Sequence, residues 1–188
     1  MRLLVLSGAT APFELLIELI LSEEVLQSVY DAGVTELRVQ YGMAEAMYEK
    51  CRQRLRQRLD DQLDKDAPEW AAVDISGFGL TSKIADEIQA ADLVVSHAGT
   101  GSILDSLRAG KRLLTVVNPD LMDNHQRQIA DRLAAYQYLV SFVPLKREDD
   151  KMALGASIQA LLGAPIRPLP PPQSTKLANL IDTVAGIV

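Results

Sequence analysis

Residues 93–110 read LVVSHAGTGSILDSLRAG. Leu93-Val94-Val95 is a short, largely β-branched apolar run, the pattern of a strand covered on both faces. Gly99 and Gly101 follow, and glycine lets a backbone turn tightly and come close to a ligand. Thr100 and Ser102 are residue types that cap helices, so a helix is expected to begin here. The first N–H groups of such a helix have no internal partners, and its dipole is positive at this end. A strand, a glycine turn and a helix N-terminus together make a seat for an anion, typically a phosphate. Asp105 is expected on the first turn of that helix, within reach of a sugar hydroxyl on the same ligand.

Around this stretch lies an ordinary globular chain. Its 188 residues suffice for one α/β domain, and 48% apolar with 23% charged residues fits such a domain. A net charge of −6 argues against nucleic acid as the main partner, and against a membrane held by charge alone. Cys51, the single cysteine, cannot form an internal disulfide, which fits a reducing compartment. No signal peptide is expected at Met1-Arg2, and no run approaches the roughly 18 apolar residues of a membrane span.

Strand and helix patterns alternate along the chain. Strands are expected at 3–6, 37–41, 71–75, 93–96, 113–117 and 139–143. Phe13, Leu16, Ile17, Ile20 and Leu21 recur at helical spacing, and a second helical piece ends at Asp31-Ala32-Gly33. A long helix is expected over 44–66, with Tyr48, Cys51, Leu55, Leu59 and Leu63 as its stripe. Its Arg52, Arg54, Arg56 and Arg58 are followed by Asp60, Asp61, Asp64 and Asp66, which reads as a solvated face rather than a basic patch. Gly77 and Gly79 are expected to break the chain after the third strand. Further helices are expected at 82–90, 124–135 and 148–163. We divide the chain into a domain at 1–164 and, at 165–188, a proline-rich spacer with a terminal helix. Leu177, Leu180, Ile181 and Val184 of that helix either fold back on the domain or dock on a partner.

Alternating strands and helices imply a parallel sheet with helices on both faces, and ligands of such sheets bind at the carboxyl ends of the strands. His97 and His125, the two histidines, both fall just past expected strand ends, which makes them candidates for the site. One cysteine and two distant histidines do not make a zinc ligand set. A P-loop is absent, since no lysine follows the glycine turn, and Ser7-Gly8-Ala9-Thr10-Ala11-Pro12 is not the GxGxxG of a dinucleotide site.

The strings SHAGTGSILD at 96–105 and LMDNHQ at 121–126, with GATAPF at 8–13, carry a resemblance that extends loosely over most of the chain. The chain resembles the cytosolic catalytic subunits of the two-protein UDP-N-acetylglucosamine transferases of the dolichol pathway. These are similar to the C-terminal, donor-binding half of a GT-B glycosyltransferase. The resemblance implies a Rossmann-like α/β fold and a transferase of the hexosyl class. It places the donor diphosphate at Gly99, Thr100, Gly101 and Ser102, with His97 beside it, and the ribose at Asp105. Asp123, Asn124, His125 and Gln126 would read the sugar hydroxyls. Gly8, Ala9 and Thr10 would face the diphosphate and the partner. Leu80 and Thr81 would lie beside the uracil, where related enzymes often carry Phe in place of Leu80.

The implied reaction is inverting transfer of N-acetylglucosamine from UDP-N-acetylglucosamine to a dolichol-diphosphate-linked N-acetylglucosamine. The resemblance implies no cofactor and no metal. The implied partner is a membrane-anchored subunit supplying the other half, which would hold the chain at the cytosolic face of the endoplasmic reticulum. His125 and His97 are the histidines available as a base, but both match donor-side positions, so the base is expected on the partner. A non-catalytic or regulatory UDP-sugar-binding module, or a transferase for another sugar or acceptor, is the alternative.

Overall fold

The computed structural model describes residues 1–61, 67–120, 125–145 and 147–170, with His125 described in its backbone alone. Strands β1 (Arg2–Leu6), β2 (Glu36–Gln40), β3 (Asp74–Phe78), β4 (Leu93–Ser96), β5 (Arg112–Val116) and β6 (Val140–Phe142) form one sheet in the order β3-β2-β1-β4-β5-β6. Every neighbouring pair is parallel. Helices α1 (Glu14–Ile20), α2 (Glu23–Asp31), α3 (Glu45–Asp60), α4 (Ile84–Ala90), α5 (Thr100–Arg108), α6 (His125–Ala135) and α7 (Asp150–Gly163) make the crossovers.

Successive strand side chains point to opposite faces, so apolar runs bury both. Leu3, Val5, Leu37, Val39, Leu93 and Val95 pack with the apolar stripes of α1, α2, α3 and α7. Leu4, Leu6, Val94 and Leu113 pack on the other face with Ile88 of α4, Ile103 and Leu107 of α5, and Ile129 and Leu133 of α6. Near the amino ends of β1 and β2 this second face is polar. There Glu87 of α4 bonds Arg2 at 2.7 Å and Arg38 at 3.2 Å, and the Arg38 guanidinium lies 4.5 Å from the centre of the Phe78 ring.

The chain leaves β1 toward β2 and β3, then returns to place β4 on the other side of β1. Strand order reverses there, and the loops after β1 and β4 diverge to leave a crevice at their carboxyl ends. The register pairs Leu6 with Ser96, so the turns that begin at Ser7 and His97 start side by side.

Five expectations need correction. Residues 69–72 form a 3-10 turn that buries Trp70, and the third strand starts three residues later than expected, at Asp74. Gly77 lies inside that strand rather than ending it, because the Tyr48 ring fills the space its side chain would take. The long helix ends at Asp60, and Leu63, Asp64 and Asp66 lie outside the described residues, as does the expected helix after residue 173. The fourth helix starts at Ile84, because the Thr81 hydroxyl first accepts the Lys83 N–H in a local turn. The last described helix starts at Asp150, whose carboxylate accepts the N–H groups of Leu145 and Arg147 at 3.0 and 3.1 Å.

Helix α2 approaches α7 closely, since a side chain at Gly155 would overlap the Ser28 hydroxyl. Helix propensity alone makes Gly155→Ala stabilising by about 1 kcal/mol. The packing predicts the opposite sign, a loss of about 1–3 kcal/mol from overfilling, in denaturant melts. Adding Ser28→Gly should return part of the loss, and a stabilised single variant would contradict this packing.

Candidate donor-nucleotide site

Two turns flank the crevice. After β1 come Ser7, which is buried, Gly8 at φ +97°, and then Ala9 and Thr10, which are exposed. After β4 come His97, Ala98, and Gly99 as the N-cap of α5. Gly99 has φ −67°, a value open to any residue, so its freedom to turn is not what the site uses. The left-handed residue is Ala98 at φ 62°, fully buried against Val117 and Ala130. An alanine in this region costs of order 1 kcal/mol, offset here by burial of its methyl group.

The His97 ring holds the two turns together. Its Nδ1 lies 3.1 Å from the Leu6 carbonyl oxygen, which also accepts the His97 backbone N–H at 3.0 Å. A carbonyl is acceptor only, so Nδ1 carries the proton and Nε2 is left with a lone pair. Burial pushes the imidazole below its usual value, against a smaller opposing effect of the Leu6 hydrogen bond, so the ring is neutral at pH 7. The ring occupies the room that a side chain at Gly99 or Gly8 would need; a Cβ on Gly8 would come within 2.9 Å of Nε2. One strand further out, a Cβ on Gly42 would overlap the Gly8 carbonyl oxygen. Gly42, Gly8, His97 and Gly99 thus stack across the carboxyl ends of β2, β1 and β4.

Helix α5 runs with Ile103 N–H bonded to the Gly99 carbonyl, so the N–H groups of Thr100, Gly101 and Ser102 have no intrahelical partner. No side chain caps this end, contrary to the expectation for Thr100 and Ser102. Nothing lies within 4 Å of a Cβ built at Gly101, so the turn is open above it. Asp105 sits on the second turn, not the first, about 7.5 Å along the axis from Thr100. It is exposed and makes no side-chain hydrogen bond or ion pair among the described residues. That leaves both carboxylate oxygens available to donors.

Leu80, 61% exposed, and Thr81 follow β3 on the same edge of the sheet. His125 and Gln126 open α6 after β5, while Asp123 and Asn124 lie outside the described residues. Three buried oxygens along this edge have no hydrogen-bond partner among the described residues: Ser7 Oγ, Ser96 Oγ and Gln126 Oε1. Unpaired buried oxygens are costly, and a ligand at this edge would pair these three; Ser141 Oγ, inside β6, is unpaired as well. Among the described residues no three His, Cys, Asp or Glu side chains gather as a metal site. The structure adds Ser7, Ser96, Ala98 and Gly42 to the residues that shape the site. Nothing in the local sequence marks Gly42, since its role depends on the backbone of Gly8.

The two glycines of the α5 turn should therefore respond differently. Gly99→Ala drives a methyl group into His97 and should lower stability by about 1–3 kcal/mol. Gly101→Ala meets open space inside a helix and should be neutral or stabilising by up to about 1 kcal/mol. Thermal melts of both variants check this, and equal effects would contradict the assigned role of His97.

Comparison with known proteins shows the family and the fold. The glycosyltransferase family 28 C-terminal domain matches over residues 2–147. The UDP-N-acetylglucosamine transferase subunit ALG13 of Yarrowia lipolytica is 40% identical over 141 residues, 74% of this chain and 64% of that protein. The chain thus spans a little under two thirds of that relative. The solution structure of ALG13 superposes with a TM-score of 0.67 at 32% identity, covering 95% of this chain and 94% of that one. Acinetobacter baumannii MurG shares the fold at a TM-score of 0.55 and 17% identity, with 85% of this chain lying on 42% of MurG. The chain belongs to the glycosyltransferase family 28 C-terminal domain family, with the Rossmann-like fold of the C-terminal half of GT-B glycosyltransferases.

Proposed function

We propose that the chain is the donor-binding subunit of a UDP-N-acetylglucosamine transferase of the dolichol pathway. The observation that carries this is a coincidence of position. The open N-terminus of α5 and the unpaired Ser7 and Ser96 oxygens fall where strand order reverses, and Asp105 stands unpartnered one turn further along the same helix. The relatives named as transferase subunits support it.

In this reading the diphosphate sits on the N–H groups of Thr100, Gly101 and Ser102, with the open space over Gly101 admitting it close to the backbone. Gly8, Ala9 and Thr10 close over its other side. Asp105 accepts the ribose hydroxyls, and the distance up α5 from the phosphate seat suits the span from diphosphate to ribose. Leu80 covers the uracil with an aliphatic face, and Thr81 fixes the backbone beside it through its bond to Lys83. His125 and Gln126, with Asp123 and Asn124, meet the sugar hydroxyls.

The 4-hydroxyl of a lipid-diphosphate-linked N-acetylglucosamine attacks the anomeric carbon, the bond to the UDP oxygen breaks, and the configuration inverts. Negative charge grows on the leaving diphosphate, where fixed N–H groups and the helix dipole stabilise it without reorganising. The attacking hydroxyl must lose a proton to a base. His97 is buried against Leu6 and serves the donor side, so the base and the lipid grip belong to a membrane-anchored partner subunit. Among the described residues no helix is long and apolar enough to cross a membrane, so in this reading the partner brings the chain to the endoplasmic reticulum.

Asp105→Ala leaves the packing untouched, because the side chain is exposed and unpartnered. In the pair reconstituted on a lipid acceptor it should lower kcat/KM for UDP-N-acetylglucosamine by about ten- to a hundredfold, the worth of one or two hydrogen bonds to a charged group. Unchanged turnover would mean that this helix does not hold the donor, as in a regulatory module.

A further inference from the structure

The two turns that flank the crevice, 7–12 and 97–102, contain no lysine and no arginine. A nucleoside diphosphate ester brings two negative charges, and the chain itself carries a net −6. Helix α5 supplies only about half a positive charge at its N-terminus. His97 is the one side chain in these turns that can become a cation.

Its geometry fixes where the charge would arise. Nδ1 already carries a proton, donated to the Leu6 carbonyl, so the next proton can add only at Nε2. Nε2 has no hydrogen-bond partner among the described residues, and it lies on the side of the ring toward Gly8 and Gly99, the residues that open the two turns. Among the described residues, the elements packed around the ring offer it no fixed countercharge. From β1 it meets the Leu6 carbonyl and Gly8. From the α5 turn it meets Gly99. Glu14 and Glu18 of α1, and Asp105 and Arg108 of α5, make no interaction with it. The free protein therefore keeps the imidazole neutral, and the incoming anion is what changes the balance.

We propose that His97 captures a proton at Nε2 when a nucleoside diphosphate enters the crevice, and so becomes the cation that the two turns otherwise lack. The proton comes from solvent, one N–H bond forms, and no other bond changes. In the complex the imidazolium donates from Nδ1 to Leu6 and from Nε2 toward the diphosphate. The proposal rests on the reading of the crevice as the diphosphate seat. It goes beyond that reading in making donor binding a proton-linked event, tighter on the acid side. It also gives the Gly8 and Gly99 contacts a second use, since they hold Nε2 at the phosphate rather than merely filling space.

With only two histidines, the full chain allows a direct test by NMR. The imidazole Cε1–H signals are followed through a pH titration with and without saturating UDP-N-acetylglucosamine, whose diphosphate diester has no proton to exchange near neutrality. His125→Gln removes one signal and so assigns the other to His97. In the free chain His97 should titrate below the usual 6.5. In the complex its midpoint should rise by about one unit or more, and the dissociation constant should fall by about tenfold from the alkaline to the acid side of the two midpoints. If UDP-N-acetylglucosamine shifts the amides of Thr100–Ser102 while the His97 midpoint stays in place, the proton capture is wrong and the donor site stands. If it shifts neither, the donor site itself is wrong, and the proposal falls with it.

Discussion

The structure depends on one contact: the His97 imidazole set between two glycines at the point where the sheet changes direction. Parallel sheets leave a crevice at such a point for topological reasons, but topology does not fix its width. Here the width is fixed by a ring bonded to Leu6 and seated where Gly8 and Gly99 have no side chains. Backbone is thereby brought to backbone across three strand ends, with Gly42 behind Gly8. The N–H groups at the start of α5 and the turn after β1 face the same gap as a consequence. Preorganised donors of this kind stabilise charge at no cost in reorganisation, which suits a reaction whose leaving group is a diphosphate.

Much of this fold could be read in the chain before its structure. The central strands β1, β4 and β5 are apolar runs buried on both faces, so their pattern does not depend on neighbours. The edge strand β3 escaped detection in its proper register because it carries few large apolar side chains, Ile75 on one face and Phe78 on the other. Its Asp74, Ser76 and Gly77 do not resemble a buried run, and the glycine is required by the Tyr48 ring from α3. The apolar stretch that drew the expectation toward residue 71 belongs to a turn organised by Trp70. Such errors are tertiary in origin, since the deciding partner lies more than twenty residues away.

The site shows the same division. The glycine turn and the long strings pointed in the sequence to His97, Gly99 and Asp105, which the structure places in the α5 turn and on its helix. The physical roles were not legible. Both glycines were read as sources of backbone freedom, yet Gly99 adopts an ordinary conformation and is needed for room, while Ala98 takes the left-handed one. Gly101 is needed for neither in the free protein, which leaves its openness to a ligand. Asp105 was placed one turn too early because the helix was started from its capping residue types, and no side chain caps it. Asp123 and Asn124, which the resemblance assigns to the sugar, fall outside the described residues.

The most direct measurement is a map of backbone amide shifts over the full chain as UDP-N-acetylglucosamine is added. The account predicts that the largest changes fall on Gly8–Thr10 and Gly99–Ser102, the two turns that His97 joins. Changes centred instead on the groove between α3 and β3, lined by Arg52, Arg56 and Asp74, would contradict it.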